Sequence, residues 1–82
     1  MSSEERRKTM EYTYGSYLFV VCNDPDGYLV QITDMREYAG GTGYPEKTPR
    51  AAMLNTIRHL GDMFPPCVCA RMKDAGKKVF PI

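Results

Sequence analysis

No stretch of this chain approaches the roughly 20 consecutive apolar residues that a membrane-spanning helix needs. Its start, Met1-Ser2-Ser3-Glu4-Glu5-Arg6-Arg7-Lys8, has no apolar h-region, so it does not read as a secretion signal. Charge of one sign is missing too. Eleven Lys and Arg against ten Asp and Glu leave a formal +1 and a pI near 7.7, which gives no global field toward DNA, membranes or acidic ligands. Three cysteines, an odd number, make no disulfide framework and suit a reducing compartment. The expected location is therefore the cytoplasm.

What is present suits a folded chain. Its 82 residues, 43% of them apolar, allow one small domain with one modest core. Residues 1–10 read as a flexible charged tail and residues 11–82 as a single α+β domain. The one long amphipathic helix signal runs from Thr48 to Phe64. Thr48 offers an N-cap hydroxyl, and Pro49 sits where a first-turn proline loses no hydrogen bond. Met53, Ile57, Leu60 and Phe64 recur at the spacing of a buried stripe, and Pro65-Pro66 ends the helix.

Strand signals flank that helix. Tyr12 to Cys22 is aromatic and β-branched. Asn23-Asp24-Pro25-Asp26-Gly27 is a turn cluster, and Tyr28 to Thr33 alternates, with Tyr28, Val30 and Ile32 on one face. Beyond the helix, Cys67–Met72 and Lys78–Phe80 read as a short hairpin about Lys73-Asp74-Ala75-Gly76-Lys77. The expectation is ββαββ: a four-stranded antiparallel sheet in the order 2-1-3-4, with one helix packed on one face.

One helix covers one face of a sheet. In the first long strand, however, Tyr17, Phe19 and Val21 point one way, Leu18, Val20 and Cys22 the other, and both sets are apolar. The second set therefore calls for a partner protein or a second copy of the chain, the plainer alternative being that the tail or the long loop folds over it. The long connection Asp34 to Lys47, with Gly40-Gly41-Thr42-Gly43-Tyr44-Pro45, is of the length that often carries function. These features nominate Leu18, Val20, Tyr38 and Tyr44 as partner-binding residues, with a homodimer as one arrangement.

Other chemistries are weaker. Cys67 and Cys69, with Cys22 and His59, suggest a metal site only superficially: His59 lies off the buried stripe and no second ligand pair has zinc spacing. The Gly40–Gly43 run before Lys47-Thr48 departs from a phosphate loop, because Glu46 stands where glycine is required. One histidine with no serine beside it, and carboxylates mainly in turns, offer no catalytic group. No metal, cofactor or enzymatic activity is expected. Nucleic acid is the competing partner, with Arg6, Arg7, Lys8, Arg71, Lys73, Lys77 and Lys78 for phosphates and Tyr12, Tyr14 and Tyr17 for bases.

From Tyr17 to about Phe64 the chain resembles HicB-type antitoxins, in which a strand, an Asp-Gly-Tyr turn and strand, a glycine-containing loop and a Thr-led helix follow one another. The matching pieces here are Tyr17-Leu18-Phe19-Val20-Val21, Asp26-Gly27-Tyr28-Leu29-Val30, Gly40-Gly41 and Thr48-Pro49-Arg50-Ala51-Ala52. Thr33-Asp34-Met35-Arg36 replaces the family's proline-flanked segment, Arg50 or Ala51 its helix-start glutamate, and the expected compact hairpin stands in place of its DNA-binding tail. In size and expected architecture alone the chain is also similar to small phage inhibitors of the anti-CRISPR kind. The resemblance implies a small non-enzymatic protein of bacterial or phage origin that blocks another macromolecule; it assigns no residue a role.

Overall fold

The computed structural model describes residues 9–81. Four antiparallel strands form a meander: β1 (Thr9–Tyr14), β2 (Tyr17–Asp24), β3 (Gly27–Asp34) and β4 (Ala39–Thr42), neighbours in space in the order β1-β2-β3-β4. Two helices follow, α1 (Pro49–Leu60) and α2 (Pro66–Val79). Turns fix the register. Tyr14 pairs with Tyr17 across Gly15-Ser16, where Gly15 at φ +63° supplies the positive φ that a two-residue hairpin loop needs. Asp24 pairs with Gly27 across Pro25-Asp26, and the Asp24 Oδ1 accepts from the Asp26 N–H at 3.0 Å.

Register then decides the faces. Tyr17, Phe19 and Val21 lie opposite Asp34, Ile32 and Val30, so they share one side of the sheet, and all six are buried. Both helices cover this side. Met53, Ile57, Leu60 and Phe64, the stripe expected from the sequence, are all buried in the same cluster. Thr48 caps α1 as its position predicts, its Oγ1 accepting from the Ala51 N–H at 3.1 Å. From α2, Met72 and Ala75 enter the core, and Phe80 just beyond it packs edge-on to Phe19 at 5.9 Å and Tyr12 at 5.7 Å between ring centroids.

The α+β class stands, but the order ββαββ does not. The expected strands Cys67–Met72 and Lys78–Phe80 are replaced by α2 and its C-cap. Pro66 at the first helical position starts it, and Val68, Cys69, Met72, Ala75, Gly76 and Val79 recur every three or four residues toward the core. Gly76, which reads as a turn residue, instead lets the helices cross closely: a Cβ there would lie 2.5 Å from Met53 Sδ. The expected strand Tyr12–Cys22 is two strands, because Gly15-Ser16 breaks it, and β1 includes Thr9 and Met10, which the sequence assigned to the tail. Strand order 2-1-3-4 gives way to a plain meander. The remainder of the expected tail, residues 1–8, lies outside the described residues.

Candidate binding face

Beyond β4 the chain returns to β3, but with one residue too many. Thr42 pairs with Gln31, whereas Glu46 pairs with Tyr28, so residues 43–45 bulge out of the ladder. Helix α1 fills the gap. The Gly43 N–H donates to Thr56 Oγ1 at 3.2 Å, and that hydroxyl faces the carbonyls of Val30 and of Ala52. Asn55 accepts from the Tyr44 N–H at 2.8 Å and donates to Glu46 Oε2 at 3.0 Å. These bonds pin α1 to the β3–β4 side, and α2 packs against α1 and reaches β1 and β2. Both helices are thus committed to one face.

The other face carries no helix. Across β2 and β3 it presents Leu18, Val20 and Cys22 opposite Thr33, Gln31 and Leu29. Leu18, Val20, Cys22 and Leu29 are half-buried, so neighbouring side chains shield each only in part. Glu11 and Thr13 on β1 and Gln31 and Thr42 on β3 and β4 are exposed around them. An apolar centre with a polar rim is the anatomy of a protein-binding patch.

The structure brings together Leu18 and Val20 from the expected partner-binding set and adds Cys22 and Leu29 from the same register. It separates the two tyrosines from them. Tyr44 is 67% exposed, beside the bulge, with its ring edge-on to His59 of α1 at 4.9 Å. Tyr38 is 90% exposed in the turn before β4, in a left-handed conformation at φ 54° that tyrosine rarely adopts. Neither belongs to the Leu18–Val20 patch.

The cationic candidates also divide. Arg6, Arg7 and Lys8 lie outside the described residues. Arg71 and Lys78, seven residues apart on α2, line one cleft together with Tyr14 and Tyr17. Lys73 lines a different groove with Arg58 of α1, and Lys77 follows it one helical turn later. Sequence reasoning missed Arg36, which joins Arg71 and Lys78, because contact between the turn after β3 and α2 leaves no signal in local spacing. Among the described residues no group of three or more His, Cys, Asp or Glu is placed to hold a metal ion. No helix of the described chain is long and apolar enough to cross a membrane.

Comparison with protein-family models, with curated proteins and with solved structures finds no match to this chain.

Proposed function

We propose that this chain is a small, non-enzymatic protein-binding module that uses the open face of its sheet to occupy and block a macromolecular partner. An inhibitor or antitoxin-like role of bacterial or phage type agrees with its size and with the HicB-like run from Tyr17 to Phe64. The carrying observation is that both helices pack on the Phe19–Ile32 side, leaving Leu18, Val20, Cys22 and Leu29 adjacent on the other. A strand that met water on that side would alternate apolar with polar residues, as sheets with one wet face do. β2 does not alternate.

The test is a lysine at Val20. Glu11 lies directly across from Val20, so a lysine there gains an opposite-charge neighbour and spares the fold, whereas a glutamate would add repulsion. Val20→Lys is expected to keep the wild-type circular dichroism spectrum and to lose the bound protein in a pull-down from the native host. If the partner is a second copy, light scattering across a concentration series will show the wild type, but not the variant, approaching twice the monomer mass. A folded variant with unchanged mass and an unchanged set of captured proteins would overturn the reading.

A further inference from the structure

The two turns at one end of the sheet are tied together: the Met35 N–H donates to the Ser16 carbonyl at 2.8 Å. That bond sets Arg36 beside the Gly15-Ser16 turn, against the flank of α2 that carries Arg71, Asp74 and Lys78. Between them is a cleft of about 360 Å³, toward the lower end of the roughly 300–1,000 Å³ typical of small-ligand sites. Its floor is Tyr17 and Ala75, both buried, with the half-exposed Tyr14 at the rim.

The electrostatics of this hollow differ from those of the whole chain. Three cations, Arg36, Arg71 and Lys78, face one carboxylate, Asp74. Past Arg36 and Arg71 the surface continues into a second hollow, where Asp34 and Glu37 restore negative charge. Positive ground on this side of α2 is therefore the cleft beside Tyr14; the groove that holds Arg58 and Lys73 is also positive but has no aromatic ring comparable to Tyr14 beside its cations.

We infer that this cleft binds a nucleotide unit, with its phosphate on Arg36, Arg71 and Lys78 and its base against Tyr14. Guanidinium groups offer paired donors that match phosphate oxygens. An exposed aromatic ring beside them is the usual companion in single-strand binding, because every base has a face to stack. An acidic peptide would use the cations and leave Tyr14 idle. This site lies on the helix side of the sheet, so it is separate from the face that carries the protein-binding reading.

The experiment follows fluorescence anisotropy of a labelled twelve-residue oligouridylate on the full chain, with AMP and a glutamate-rich peptide as competing probes. The oligonucleotide is expected to bind with an affinity that falls with salt at a log–log slope near −0.7, about the value for one phosphate contacted. Arg71→Ser and Lys78→Ser are expected to weaken binding tenfold or more. Lys73→Ser and Lys77→Ser, which remove the same charge from the rest of α2, should leave it within twofold. Displacement by AMP at comparable concentration would identify a free nucleotide as the ligand, and binding of the strand alone would identify single-stranded nucleic acid. Equal losses from all four variants, absence of binding, or tighter binding of the glutamate peptide would overturn the proposal. Should a serine variant unfold, amide shifts of the wild type on titration decide it: changes at Tyr14, Gly15, Arg36 and Ala75 support the site, and changes confined to Lys73 and Lys77 reject it.

Discussion

At the scale of single residues, Thr56 carries more of the architecture than its type suggests. Its side chain is fully buried, and its one hydroxyl hydrogen serves either Val30 or Ala52 while its lone pair accepts from Gly43. Val30 and Gly43 are the two residues that the ladder would have paired had the bulge not intervened, so the hydroxyl stands in for a backbone bond. Thr56→Val keeps the shape and removes the bridge. With a buried donor left unpaired, the loss is expected to be about 1–3 kcal/mol in urea unfolding, whereas Thr56→Ser should recover most of it. Equal stability of the valine variant would show that water satisfies the bulge. Nothing in the sequence flagged Thr56, because the two residues it bridges, Gly43 and Val30, lie 13 and 26 positions away.

At the scale of elements, α1 was legible and α2 was not. In α1 the start signals and the stripe agree, with the Thr48 cap, Pro49 in the first turn and Met53, Ile57 and Leu60 buried, but the helix stops at Leu60 and not at Pro65-Pro66, so Phe64 joins the same cluster from beyond the Gly61 cap. In α2 the signals conflict. Val68 flanked by two cysteines favours a strand, Gly76 favours a turn, and only the three-to-four spacing of the buried positions argues for helix. Tertiary packing decides it, since Gly76 is where α1 crosses. Alanine at that site would gain about 1 kcal/mol of helix propensity yet place a methyl group against the fully buried Met53. The two positions are therefore coupled. In a double-mutant cycle, Gly76→Ala combined with Met53→Ala is expected to be less damaging than the sum of the single changes by roughly 1–3 kcal/mol. Additive effects would mean that the crossing is looser than described. The second illegible element, β4, hid in a glycine run because its contribution is backbone pairing to residues 31–34, with Gly41 lying under Leu60. The open face was legible in outline, since the apolar residues on both faces of β2 were visible; what could not be read was that a second helix would join the first on the opposite side.

At the scale of the molecule, successive strands are neighbours, so β1 stands at the edge with β2 as its one strand partner, and α2 returns to support it from the helix side. Phe80 makes that return, its ring edge-on to Tyr12 of β1 and Phe19 of β2. Phe80→Ala is expected to cost about 3–5 kcal/mol, as aromatic truncations in cores do. It should also raise hydrogen exchange at the amides of Met10 and Tyr12, which face β2, more than at those of β3, because edge strands open before central ones. Unchanged exchange at those amides would show that the hairpin with β2 suffices to hold β1.

The position of α2 at the far end of the chain also has a kinetic side. Protein synthesis delivers roughly 5–20 residues per second, so the interval between the appearance of Phe19 and of Phe80 is on the order of 3–12 seconds. A hairpin such as β1–β2 closes in microseconds. For those seconds the nascent sheet has two apolar sides and no helix from α2 on either, a state prone to adhesion. A ribosome stalled before Pro66 would therefore present a sticky sheet, and the chain's yield in a cell would depend on how promptly its last fourteen helical residues arrive.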